Sequence, residues 1–275
     1  MSASVLPRFD LLDLQEVGAD GRFRLDVRAD LCTPFGFLYG GTGIAASAEA
    51  AERATGRPLQ WITTQFLGSP LPGSAVELEV TVPAGGRSTT QTQVVATVDG
   101  EPMFSSLGAH NTRPGGDLAQ FVEMPAVPPP EDCEPMGALF EADLSGSFFG
   151  TMERRVARGL VGLEAVDVPQ PEPGALWCRI VDDAIGSPAT QAYVADIIPM
   201  GIGAALGALP GATSLDNTLR VIDTSPTDWA LLELIPEGYH RSLGHGSLRV
   251  WSQDGRLLST AQQTCIIRTS HHSRS

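Results

Sequence analysis

A chain of 275 residues with 42% apolar and 6% aromatic side chains has the length of one large domain or two small ones and the composition of an ordinary folded protein. Its formal net charge of −14, from 18 basic and 32 acidic residues, argues against a nucleic-acid binder, which needs a basic surface to displace counterions. No run approaches the roughly eighteen apolar residues of a membrane span, the start MSASVLPRFDLLDLQEV lacks the pattern of a secretion signal, and Cys32, Cys133, Cys178 and Cys265 form no CxxC pair, which reads as free thiols in a cytoplasmic protein.

In chain order, residues 8 to 30 alternate loosely and suggest the first strands. Phe35 to Gly56 opens on a Gly40-Gly41 turn and continues as a helix whose apolar positions are Ile44 and a series of alanines, with Glu49 and Arg53 at i and i+4 marking a wet face and Gly56 ending it. A helix this thin lets backbones approach closely, as one lying inside a wrapped sheet must. Strands follow over 58–67, 75–82, 88–98 and 103–111, with Gly85-Gly86 and Asp99-Gly100 as hairpin turns. Residues 113 to 136 are rich in Pro and acidic side chains and read as a long exposed connector.

The pattern then restarts. Ser147–Gly159 and Ala175–Val181 look like strands. A second apolar helix follows from Gly186 to Gly207, with Ser187 as N-cap and Pro188 at its first position. Four strand candidates close the chain: Ser214–Asp223, Trp229–Ile235, Gly246–Trp251 and Arg256–Ile267. A helix followed by about four antiparallel strands, used twice, is an α+β repeat.

Most catalytic signatures fail. Gly41-Thr42-Gly43-Ile44-Ala45-Ala46 matches the GxGxxA dinucleotide pattern, but no clear strand precedes it and no β-α-β alternation follows. There is no GxSxG elbow, P-loop or HExxH, and neither a metal site nor a cofactor is expected. His110, His240 and His245 stand alone, and His271-His272 fall in a polar tail that reads as disordered.

Asp196 stands out. The surrounding AYVADIIPMGIGAAL is apolar on all sides, so the carboxylate should be buried, at a cost of several kcal/mol unless paired or hydrogen-bonded. It could cap a helix broken by Pro199, or act as a base whose pKa burial has raised. Two polar clusters could supply partners: Thr213 to Thr218, and Ser259 to Thr264 in the last strand. Counting alternation from Leu258 to Ile266 places Gln262 on the apolar face, where its amide needs partners.

These segments resemble the acyl-CoA thioesterase II family. The likeness rests on LYGG, QFLGSP, GGRS and MFSS in the first half and on MERR, WCR, AYVAD, SLDN and STAQQ in the second. It implies a double hotdog: two tandem units, each a long helix wrapped by an antiparallel sheet, over 1–112 and 147–269, with a linker at 113–146 and a tail at 270–275. Matched motif by motif, the family's catalytic trio falls on Asp196, Ser214 and Gln262. Departures are Asn217 where the family commonly has His, Pro83-Ala84 where an Arg precedes the GRS turn, and QQT where QEG is frequent.

The activity so implied is hydrolysis of an acyl-CoA by water, with Asp196 as base and Ser214 and Gln262 holding the water. Gly40 and Gly41 are candidate substrate-binding positions, glycine permitting close backbone approach, and Arg87 and Arg154 are candidates for the CoA phosphates. Two tandem units already mimic the usual hotdog dimer, so the chain could act alone or as a homo-oligomer. An alternative is a non-catalytic acyl-thioester binding or regulatory protein, with Asp196 locked in backbone hydrogen bonds. A hotdog dehydratase fits less well, because no histidine sits beside a plausible acid.

Overall fold

The computed structural model describes residues 6–18, 20–116, 118–136, 144–159, 169–207 and 211–268; the tail at 270–275, with His271 and His272, lies outside them. The first half contains β1 (Gln15–Glu16), β2 (Arg22–Asp26), helix α1 (Gly40–Thr55), β3 (Leu59–Phe66), β4 (Ala75–Gly85), β5 (Thr89–Val98) and β6 (Glu101–Asn111). The second contains β7 (Glu134–Pro135), β8 (Met152–Arg158), β9 (Gly174–Ile180), helices α2 (Pro188–Ala195) and α3 (Ile198–Leu206), and β10 (Gly211–Val221), β11 (Ala230–His240), β12 (Leu243–Ser252) and β13 (Leu257–Arg268). A helical segment followed by four long strands thus occurs twice, as the hydrophobic patterning suggests.

The thirteen strands among the described residues join one antiparallel sheet in the order β1-β2-β4-β5-β6-β3-β10-β13-β12-β11-β9-β8-β7. The two halves meet at the β3–β10 pair, where Thr64 lies opposite Asn217 and the hydroxyls of Thr63 and Thr218 hydrogen-bond at 2.9 Å. The larger apolar core cluster runs through both halves, from Phe23, Leu25 and Ile44 in the first to Tyr193, Leu232 and Leu248 in the second.

Alanine and glycine on α1 let it lie close to its neighbours. A Cβ on Gly41 would collide with the Tyr39 ring and the Tyr193 carbonyl of α2, so the two helices touch through backbone. Gly56 ends α1 in the left-handed conformation (φ 63°), as a C-terminal glycine should. The wet face expected at Glu49 is not there. Glu49 is buried beneath the N-terminal segment, accepting the Phe9 N–H at 3.0 Å and bonding Arg53 at 3.3 Å.

The second helix is interrupted. Ser187 caps α2 by accepting the Thr190 N–H, and Pro188 occupies its first turn, as expected. The backbone leaves helical geometry at Asp196 and Ile197, and α3 restarts with Pro199 in its first turn. Pro199 has no N–H for the preceding turn, which makes it a natural restart point.

Two other expectations change. The first residues of the segment expected as a strand from Ser147 form a 3-10 turn, Phe148–Thr151, capped by Ser147. The connector is largely exposed but not free. Gln120 bonds the Gly255 carbonyl (3.1 Å) and the Leu257 N–H (2.9 Å), Pro128 accepts the Trp177 indole N–H (2.8 Å), and Val122, Met124 and Val127 pack on a cluster containing Trp177, Trp229 and Trp251. Its few apolar side chains strap it to the outside of the second half.

Two irregularities in strand register position the site. In β10, Ser214 pairs with Cys265 and Asp216 with Thr264, leaving Leu215 unpaired. In β13, Leu257 pairs with Trp251 and Ser259 with Val250, leaving Leu258 unpaired. Each extra residue reverses the side-chain alternation beyond it.

Candidate active site

Asp196 sits where the second helix breaks, 7% exposed and facing the seam. Its Oδ1 accepts the Asn217 side-chain amide at 2.9 Å and the Gln263 amide at 2.8 Å, and the Gly41 backbone N–H also bonds to the carboxylate. The same Gln263 Nε2 donates to Ser214 Oγ at 2.6 Å. Asp196, Ser214, Asn217 and Gln263 therefore form one connected group, drawn from the helix break, β10 and β13, with the N-terminus of α1 closing it from the other half.

The bulges explain the membership. Ser214 and Asn217 are three positions apart and would face opposite sides of a regular strand, but the unpaired Leu215 between them turns both toward Gln263. The unpaired Leu258 likewise shifts the parity of β13. Leu258, Ala261, Cys265 and Ile267 all face the core, so Gln263 points inward (2% exposed), whereas Gln262 is exposed. The expectation of Gln262 is corrected to its neighbour. Uniform alternation from Leu258 selects the wrong glutamine because the bulge lies between.

Burial pushes the Asp196 carboxyl up to about 7, against the opposing pull of the Asn217, Gln263 and Gly41 hydrogen bonds. Gly40 borders the other carboxylate oxygen: a Cβ there would collide with Asp196 Oδ2 and approach the Phe66 ring. Asn217 Oδ1 and Gln263 Oε1 are buried and accept no hydrogen bond among the described residues. The cluster thus combines one carboxylate of raised pKa, two fixed amides with unused acceptor capacity, a hydroxyl and the first N–H groups of α1, where the helix dipole favours developing negative charge.

Arg87 is not brought here. It is exposed in the β4–β5 turn, next to Gly86, whose carbonyl accepts from Arg57 just past the C-terminus of α1. The 16 residues of α1 separate that end from Gly40 by about 24 Å at the usual helical rise. Arg154 is not at the surface either, being 6% exposed. Asn217, which the sequence shows as a departure at the position after Leu215-Asp216, directly ligates the carboxylate.

The first half carries an uncharged counterpart. Thr64 on β3 lies opposite Ser106 on β6, as Asn217 lies opposite Gln263. Thr64 and Ser106 hydroxyls bond at 2.8 Å, and Ser106 donates to Ser47 of α1 at 3.0 Å, all three buried. Across β13, β10, β3 and β6, Gln263, Asn217, Thr64 and Ser106 form one polar row, with a carboxylate over one end and a hydroxyl over the other.

Helices laid on a large antiparallel sheet are the hotdog arrangement, and solved thioesterase structures of that fold superpose on this chain. A protein from Novosphingobium aromaticivorans DSM 12444, provisionally described as a thioesterase, is 31% identical over 93% of this chain and 98% of its own, with a TM-score of 0.83. A tesB protein from Mycobacterium avium subspecies paratuberculosis is 21% identical over 94% of this chain and 96% of its own (TM-score 0.76), and the acyl-CoA thioesterase II TesB2 from Mycobacterium marinum is 20% identical over 95% and 98% (TM-score 0.75). Among curated proteins, none matches the sequence significantly.

Residues 29–110 match the acyl-CoA thioesterase N-terminal domain and residues 130–267 the acyl-CoA thioesterase C-terminal domain. The chain belongs to the acyl-CoA thioesterase family and is a thioester hydrolase. No helix among the described residues is long and apolar enough to cross a membrane.

Proposed function

We propose that the chain hydrolyses acyl-CoA thioesters to the free acid and CoA at the Asp196 cluster, on a fold of two tandem hotdog units. The observation that carries this reading is the raised-pKa carboxylate held at Oδ1 by two side-chain amides, in a member of a thioesterase family. Asp196 accepts a proton from water as the water oxygen attacks the thioester carbonyl. Gln263, itself bonded to Ser214, fixes the carboxylate, and its unused Oε1 is an acceptor for the second water proton. Asn217 stands in the histidine position of the family and serves as the second anchor of Oδ1.

Charge developing on the carbonyl oxygen is met at the N-terminus of α1. The Gly40 N–H is the candidate donor there, because the Gly41 N–H is engaged with Asp196. Collapse of the tetrahedral intermediate breaks the C–S bond, and the proton held by Asp196 passes to the leaving sulfur. No covalent acyl-enzyme is required.

The test is thiol release from short, medium and long acyl-CoAs across pH. A base with a pKa of about 7 predicts that kcat/KM rises about tenfold per pH unit below that value and levels off above it. Absence of release from every acyl-CoA, or a rate flat between about pH 5.5 and 8, overturns the reading. Gly40→Ala is a second check. The added methyl group displaces Asp196 Oδ2, and a misplaced base predicts a loss of about tenfold or more in kcat with the fold retained by circular dichroism.

A further inference from the structure

Among the described residues, Arg154 is a buried cation without a counterion. It is 6% exposed, makes no hydrogen bond or salt bridge among the described residues, and its Nη2 is fully buried with no partner. By contrast, the half-buried Arg53, Arg155, Arg249 and Arg256 each reach a carboxylate. Aromatic rings flank the guanidinium instead, Phe149 at 4.4 Å and Phe148 at 5.0 Å. Ring faces stabilise a cation but leave its in-plane N–H donors unmatched, and buried charges are ordinarily paired.

The position of Arg154 links it to the site. The Phe148 ring stacks on Tyr39 at 3.9 Å, and Tyr39 immediately precedes Gly40, which borders Asp196 Oδ2. The Tyr39 hydroxyl, raised well above its usual pKa chiefly by burial, also feels the Asp196 charge pushing it up and the Arg154 charge pulling it down. Two stacked rings, Phe148 and Tyr39, therefore connect this guanidinium to the glycine that borders the proposed base.

We propose that Arg154 is a specificity-determining residue that takes an anionic oxygen group of the thioester substrate, either a carboxylate on the acyl chain or a phosphate of CoA. A planar fork of donors suits both bidentately. This inference rests on the thioesterase reading.

The experiment compares wild type with Arg154→Met on hexanoyl-CoA, adipoyl-CoA and the N-acetylcysteamine thioester of hexanoate, which carries no phosphate. A carboxylate subsite predicts that wild type prefers adipoyl- over hexanoyl-CoA and that the variant loses this preference by tenfold or more in kcat/KM. A phosphate subsite predicts a loss of that size confined to the two CoA thioesters. Equal behaviour of the two proteins on all three substrates, or an equal loss on all three, overturns the proposal. A second readout needs neither turnover nor a variant: adipate or adenosine 3′,5′-bisphosphate should raise the melting temperature of the wild-type protein, and stabilisation by neither overturns the proposal. Failure of hydrolysis with stabilisation intact would instead count against the thioesterase reading.

Discussion

Replacing Asp196 by asparagine should lower kcat for acyl-CoA hydrolysis by roughly 10²- to 10⁴-fold, the usual contribution of a general base, while making the folded protein more stable at pH 8. Both effects have one origin. Asparagine still offers an Oδ1 to the Asn217 and Gln263 amides but cannot take the proton. In the wild type the folded-state pKa of about 7 lies above the ordinary carboxyl value of 3.8, so between these values the folded chain binds more protons than the unfolded one. The contribution of Asp196 to stability is then fully present below about pH 4 and is lost as pH rises through about 7. The variant escapes that loss, giving a gain on the order of 4 kcal/mol at pH 8 that vanishes near pH 4. Denaturant melts of both proteins at the two pH values check the sign. A variant less stable than wild type at pH 8 would mean that the carboxylate anchors the break between α2 and α3 more than its burial destabilises it.

Adjacent glutamines in the last strand give the second large contrast. Gln263→Ala should cut kcat by about 10- to 100-fold, because misplacing a base costs reactivity even when its chemistry is intact. It removes the link between Ser214 and Asp196 and half of the side-chain support of Oδ1. Gln262→Ala, on the exposed face of the same strand, should leave turnover near wild type. Steady-state thiol release by the two variants decides between them. Loss of activity in Gln262→Ala with Gln263→Ala unaffected would contradict the register of β13.

The two glutamines also mark where sequence reading reaches its limit. Asp196 was legible because a lone carboxylate among Ala, Ile and Pro has few bland explanations. The two helices with their strands were legible because the hydrophobic period switches cleanly from the helical to the strand value. Which glutamine faces Asp196 was not, because the bulge at Leu258 is set by pairing with β12 and no residue type announces it. Asn217 could be seen only as a mismatch, since facing Gln263 depends on a second bulge at Leu215. Glu49 looked solvated from its i, i+4 partner Arg53, and the segment that covers it lies 40 residues earlier in the chain. Arg87 was a reasonable phosphate ligand by charge alone, but α1 holds it a helix length from the carboxylate.

A homodimer built from one small gene carries every substitution twice, whereas this chain holds both helix-and-strand units in one polypeptide. The polar row across the seam already differs at its two ends, with Gln263, Asn217 and Asp196 at one and Ser106, Thr64 and Ser47 at the other. The row in the first half carries no ionisable group, and that half meets Asp196 through the glycine start of α1. With the two halves in one polypeptide, a substitution in one half leaves the other unchanged.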